Sequence, residues 1–170
     1  MFCRQLSETE IAVFTASADE TARLGTIIGE RAYLGLTVLM YGGLGAGKTL
    51  LTKNIGAALG YKRIKSPTFI IVAEHNGGRL PLVHADLYRL PNYSEVDSLD
   101  LEQYIDQRDV LIIEWAERWE NPPIEDYISI HFNIPEADAE SREMILASHG
   151  EKAKGLLKQI KDEIIAGQVI

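Results

Sequence analysis

The sequence predicts an α/β fold: a three-layer sandwich whose central sheet is mostly parallel and flanked by helices, with some antiparallel strands. Three observations predict it. The runs Thr37–Tyr41 (TVLMY) and Val110–Ile113 (VLII) are apolar without alternation, as in strands buried on both faces. Segments of helical period stand before, between and after these runs. A stretch of period two near the C-terminus and an Asn-Gly-Gly turn supply the antiparallel part.

Each element has its own signal. Ser17 and Glu20 form the S-x-x-E capping box, which predicts a helix over about Ala18–Arg31. After the strand Thr37–Tyr41, Gly42–Gly47 breaks the pattern. Thr49–Leu59 then reads as a helix, with Gly60 just past its end. Phe69–Glu74 and Leu80–Ala85 read as two strands around Asn76-Gly77-Gly78. Ser98–Gln107 reads as helix and Val110–Ile113 as strand, and Asn121-Pro122-Pro123 ends the segment after that strand. Tyr127–Ile134 alternates, with Ile128, Ile130, Phe132 and Ile134 facing one way, and Met144–Ala147 is its expected partner. Glu151–Ala166 closes the chain as an amphipathic helix, with Leu156, Leu157, Ile160 and Ile164 on one stripe.

The 170 residues, 46% hydrophobic and 25% charged, suit one domain spanning 1–170. One cysteine, Cys3, permits no internal disulfide and fits a reducing compartment. No apolar run approaches the ~20 residues of a membrane helix. The start, MFCRQLSETE, has early acids and no apolar region of a secretory signal, so a cytoplasmic protein is expected. Seventeen Lys and Arg against 25 Asp and Glu give a net charge of −8, which disfavours tight RNA or DNA binding by the chain alone. His75, His84, His131 and His149 have no metal-ligand spacing, so no zinc site is expected.

Residues 42–49 read Gly-Gly-Leu-Gly-Ala-Gly-Lys-Thr and fit G-x-x-x-x-G-K-[ST]. A loop of this kind turns successive backbone N–H groups onto a polyphosphate, and glycine allows the positive φ and close approach that this needs. The next helix aims its free amides and partial positive charge at the same phosphates. In such a loop Lys48 bridges the β- and γ-phosphates and the Thr49 hydroxyl sits on Mg²⁺. A window matches this pattern by chance about 4 times in 10⁵ at ordinary residue usage. With a buried strand before it and a helix after it, the motif makes the expected fold P-loop NTPase-like.

Such a site needs an acid at a neighbouring strand end, and there are two candidates. Asp86 follows Leu82-Val83-His84-Ala85, and Glu114 follows Val110–Ile113. Either could reach the metal, and either could be a solvated acid. Ser66-Pro67-Thr68 could fold over a γ-phosphate, but the residues alone favour a plain turn. Lys62, Arg63 and Lys65, beside Tyr61, could contact RNA or an acidic partner; a solvated loop is the favoured reading. Phe14–Ser17 is a candidate contact for an adenine base, with no local signal for that role.

These landmarks together resemble the TsaE family, also called YjeE, of bacterial P-loop ATPases. The matching residues are Gly42–Thr49, Ser66-Pro67-Thr68-Phe69, His84-Ala85-Asp86-Leu87-Tyr88-Arg89 and Glu114-Trp115. The resemblance implies ATP hydrolysis in making N6-threonylcarbamoyladenosine at tRNA position 37. In that role the protein acts on a complex of TsaD and TsaB and meets tRNA only through it. It also implies ATP and Mg²⁺ as cofactors. The chemistry would fall to Lys48, Asp86, Glu114 and Thr68. Nucleotide contacts would come from Gly43, Leu44, Gly45, Ala46, Gly47, Lys48, Thr49, Trp115 and Arg142. Thr49, Glu114 and Asp86 would hold the metal. Gly43 stands where the family often has Asp, so a partner or hydrolysis role of that Asp is not carried over. Ala85 stands where Phe is common, a packing change.

Three other readings compete with this one. A small-molecule kinase of the P-loop class would want an arginine-rich lid, and beyond Arg89 the second half offers only Arg108, Arg118 and Arg142. A signalling GTPase would carry N-K-x-D and D-x-x-G, which are not in the sequence. A nucleotide-sensing module without significant catalysis is poorly separated from the ATPase by sequence.

Overall fold

The alternation of buried strands and helices folds into one eight-stranded sheet with helices on both faces. The structure, a computed structural model, describes residues 1–64, 71–90, 93–136 and 138–168. In chain order the elements are β1 (Phe2–Gln5), β2 (Glu10–Thr15), α1 (Ala18–Arg31), β3 (Thr37–Tyr41), α2 (Lys48–Ala58), β4 (Val72–His75) and β5 (Leu82–Asp86). They continue with α3 (Tyr93–Asp97), α4 (Glu102–Gln107), β6 (Val110–Glu114), a 3-10 turn (Ala116–Arg118), β7 (Tyr127–Asn133), β8 (Arg142–His149) and α5 (Glu151–Ala166).

The strand order is β1-β2-β8-β7-β3-β6-β5-β4. The four middle strands, β7, β3, β6 and β5, run parallel. Both flanks are antiparallel: β4 pairs with β5, and β8, β2 and β1 extend the other side. The expected parallel centre is present. The antiparallel part is wider than the Asn76 hairpin and the C-terminal pair, because β1 and β2 join it.

Local chemistry explains the boundaries. The α1 capping box forms: Glu20 N–H donates to Ser17 Oγ at 3.3 Å, and Ala16 N–H donates to Glu20 Oε2 at 2.8 Å. Of the expected helix Ser98–Gln107 only Glu102–Gln107 is helical, as α4, and a separate short helix, α3, ends before it at Asp97. Asp100 between them has φ 49°, a left-handed conformation that no helix continues through. Ile134 falls past the end of β7 and is 38% exposed, so it leaves the inward face that Ile128, Ile130 and Phe132 share. β4 begins at Val72, and Phe69 and Ile70 lie outside the described residues. Lys62 and Arg63 are exposed, whereas Lys65 is not described.

Two apolar layers result. α1, α2 and α5 cover one face of the sheet with Leu24, Ile28, Leu51, Ile55, Leu156 and Ile160, packed on Val38, Met40, Ile112 and Ile130. Leu101 and Tyr104 cover the other face over Leu39, Val83, Leu111 and Ile113. α1 and α2 meet through glycine: a Cβ on Gly25 would lie 2.7 Å from the Leu51 carbonyl oxygen, and one on Gly29 only 2.5 Å from that of Ile55. This close crossing fixes α2, whose first turn carries Lys48.

Candidate functional site

The loop Gly42–Gly47 joins the C-terminal end of β3 to α2, at the sheet end where β5 and β6 also finish. Gly42 has φ 136°, and a Cβ there would come within 3.0 Å of Phe132 on β7. Gly47 caps α2 at φ 108° with no side-chain hydrogen bond to the helix amides, which leaves them open to an anion. Lys48 is 4% exposed. Its Nζ donates to the carbonyls of Gly42 and, at 2.8 Å, Gly43, and sits 4.1 Å above the Trp115 ring. Burial pushes the Lys48 pKa down, against the opposing pull of Glu114, Glu117 and Asp86.

Glu114, at the end of β6, is 2% exposed. Its Oε2 accepts from Thr49 Oγ1 at 2.7 Å. Its Oε1 lies 2.8 Å from His84 Nε2 and 3.0 Å from Thr52 Oγ1, a hydroxyl that also lies 3.1 Å from the Lys48 carbonyl. Burial alone would push the Glu114 carboxyl up. The hydrogen bonds from His84, Thr49 and Thr52 outweigh it and hold the carboxyl below its ordinary range. Asp86 is Glu114's register partner on β5. Its Oδ1 accepts from Tyr88 N–H at 3.1 Å, and burial raises its pKa. Trp115 takes a left-handed φ of 59° and packs its ring on Tyr88, centroids 4.7 Å apart.

These groups border a cavity of about 440 Å³, which has Thr49, Asp86, Arg89, Glu114 and Trp115 in its wall along with the loop from Leu44 to Lys48. That volume is in the usual range for small-molecule sites. The geometry thus brings Lys48, Thr49, Asp86, Glu114 and Trp115 around one cavity. Thr68 lies outside the described residues. Arg142 lies behind the loop. Its Nε donates to the Ala46 carbonyl at 2.9 Å and its Nη2 to that of Gly45 at 3.1 Å. Its Nη1 donates to the carbonyls of Ala139 and Ser141 at 2.7 and 2.6 Å. It borders a second cavity of about 300 Å³ with Phe2, Phe14, Thr15 and Ala16.

Sequence reasoning assigned no role to Thr52 or to the ring of His84. The signals were present: Thr52 follows Thr49 by three residues on one helix face, and His84 precedes Asp86 by two on one strand face.

The donor set suits a hard divalent cation. A hydroxyl and a carboxylate stand 2.7 Å apart, with a second carboxylate on the next strand. Among the described residues there is no group of three or more His, Cys, Asp or Glu able to hold a metal ion. A cation here would take one or two protein oxygens and complete its shell from phosphate and water, as Mg²⁺ does.

Comparison with known proteins places this site in a family. A family model described as "Threonylcarbamoyl adenosine biosynthesis protein TsaE" matches residues 15–144. The chain belongs to the TsaE family. The matched span of this TsaE-family chain runs from the end of β2 into β8 and so includes the whole site. A Bacillus subtilis protein named tRNA threonylcarbamoyladenosine biosynthesis protein TsaE is 34% identical over 147 residues, covering 86% of this chain and 90% of that one. A Nostoc sp. protein of the same name is 41% identical over 116 residues, covering 65% of this chain and 71% of its own. The crystal structure of Bacillus subtilis YdiB superposes with a TM-score of 0.78 at 27% identity, covering 96% of this chain and 98% of that one. Among the described residues, no helix is long and apolar enough to cross a membrane.

Proposed function

We propose that the chain binds ATP with Mg²⁺ and hydrolyses it, as a subunit required for N6-threonylcarbamoyladenosine modification of tRNA position 37. In this reading residues 1–170 are a single P-loop ATPase domain that works in the cytoplasm on the complex of TsaD and TsaB. The observation that carries the reading is the constellation at the strand-to-helix corner: buried Lys48 and Glu114 with half-buried Thr49, whose Oγ1 donates to Glu114 Oε2 at 2.7 Å. The names of the Bacillus and Nostoc relatives support the tRNA pathway.

Each residue has a task within it. The Lys48 ammonium exchanges the carbonyls of Gly42 and Gly43 for phosphate oxygens, and its low exposure strengthens that contact. The loop amides take the remaining phosphate charge. Thr49 directs its proton to Glu114, so its oxygen lone pairs would be available to hold a metal ion. Bound Mg²⁺ would neutralise charge developing on the β- and γ-phosphates. Asp86, register partner of Glu114 on the adjoining strand, would orient water or support the metal. Trp115 walls the phosphates from solvent. The cavity against Phe14 and Ala16 would receive the base, and Arg142 braces the loop between the two cavities.

Phosphate release measured with and without a TsaD–TsaB complex tests the pathway: slow turnover alone and faster turnover with the complex are expected. Absence of any partner effect removes the tRNA assignment, and rapid phosphoryl transfer to a metabolite would favour a kinase. Lys48→Ala should abolish nucleotide binding in calorimetry. Unchanged affinity would contradict the loop assignment.

A further inference from the structure

We propose that His84 is a positioning residue that fixes the Glu114 carboxylate, an inference that rests on the ATP reading above. His84 is completely buried in β5. Among the described residues its Nδ1 has no hydrogen-bond partner, and its Nε2 meets Glu114 Oε1 at 2.8 Å. An imidazole nitrogen buried without a partner costs stability that an apolar side chain would not. The bond to Glu114 is what the ring obtains for that cost. Because a carboxylate accepts, it is Nε2 that donates in this bond.

The carboxylate geometry shows what the bond does. Each oxygen of an ionised carboxylate offers about two acceptor positions. On Oε1 those positions face Thr52 and His84. On Oε2, among the described residues, only Thr49 is engaged, and Glu114 and Thr49 both line the cavity at the loop whereas Thr52 and His84 do not. His84 therefore touches no ligand. It stops the carboxylate from rotating, so that Oε2 stays paired with the Thr49 proton and keeps its second acceptor position available. Supporting groups of this kind typically alter metal affinity or activity by about 10- to 100-fold.

The test compares the full-length chain with His84→Met, which has no donor but suits an apolar site, and His84→Gln, whose amide nitrogen reaches about as far as Nε2. ADP is titrated calorimetrically without Mg²⁺ and across a Mg²⁺ series, and phosphate release is followed over the same series. His84→Met should leave metal-free ADP affinity unchanged and raise the half-saturating Mg²⁺ by about tenfold or more. It should lower kcat more than it changes KM, and His84→Gln should recover most of the loss. Equal loss of ADP affinity with and without Mg²⁺, or no recovery by His84→Gln, would make His84 a packing residue and overturn the inference. If His84→Met does not fold by circular dichroism, His84→Asn replaces it, since its shorter amide cannot reach Glu114. Gln and Asn behaving alike would then overturn the inference. A parent chain with no Mg²⁺-dependent ADP binding overturns the ATP reading and this inference with it. A parent that shows such binding, alongside an unaltered His84→Met, overturns this inference alone.

Discussion

At the scale of single residues, the site is a set of buried polar groups that satisfy one another. Glu114 is its centre, since three side-chain donors converge on it. Glu114→Gln keeps the shape but loses the charge that attracts a cation and accepts the Thr49 proton. Phosphate release should fall at least about tenfold, with the far-UV circular dichroism spectrum unchanged. Arg142 shows why charge alone is insufficient. Its planar fork reaches four carbonyls on two loops, which the single ammonium of a lysine cannot match. Arg142→Lys should weaken ADP binding by about tenfold, some 1.4 kcal/mol, in calorimetry. Unchanged affinity would mean that the phosphate loop holds its shape without this brace.

At the scale of elements, two devices keep the helices where the site needs them. The first is the glycine crossing of α1 on α2. Alanine usually stabilises a helix over glycine by about 1 kcal/mol. At Gly29, however, the added methyl would lie 2.5 Å from the Ile55 carbonyl oxygen and 2.7 Å from Ala58 Cβ. Gly29→Ala should therefore destabilise the fold by about 1–3 kcal/mol in urea unfolding, and a gain in stability would show that the helices separate freely. The second device is the start of α5, where Gly150 supplies no cap. Asp126 caps the helix from a distance: Oδ2 accepts from Lys152 N–H at 2.9 Å, and Oδ1 accepts from Ala153 N–H at 3.0 Å and the Tyr33 hydroxyl at 2.6 Å. Asp126→Ala should cost about 1–2 kcal/mol on the same measurement.

At the scale of the whole molecule, the sheet separates two cores that are tied to it differently. The layer of α1, α2 and α5 is held by apolar packing from long helices, whereas α3 and α4 are short and add a polar tie to their apolar packing. One tie runs from the Tyr104 hydroxyl on α4 to Glu74 Oε1 on β4 at 2.7 Å. Burial and this carboxylate push the Tyr104 phenol up to about 12. The neutral phenol is the form that the fold favours, and in the unfolded chain it ionises near pH ~10. The unfolded state thus loses its proton first. The stabilisation is complete below about pH 10 and is lost as pH rises through about 12. Urea midpoints of the parent should fall more steeply across that window than those of Tyr104→Phe. Parallel curves would mean that the tie contributes nothing.

The sequence by itself determined the elements whose signals lie within a few residues of one another. The bounds of α1, β3 and α5 fall at the expected residues, because a capping box, an unbroken apolar run and a helical stripe are local facts. The glycine-rich loop between β3 and α2 was equally legible, since its motif is a contiguous run from Gly42 to Thr49. Only the tertiary structure decided which distant groups meet. β1 escaped the sequence reading because FCRQ is short and half polar; β2 does carry a local signal, the apolar run Ile11–Phe14, and only its pairing with β8 across most of the chain was beyond a local reading. His84, Thr52 and Glu114 come together over separations of 30 and 62 residues, and Arg142 reaches Ala46 over 96. Such contacts follow from sheet order and register. Those are set by the summed burial of both cores, and no short window of sequence carries that sum.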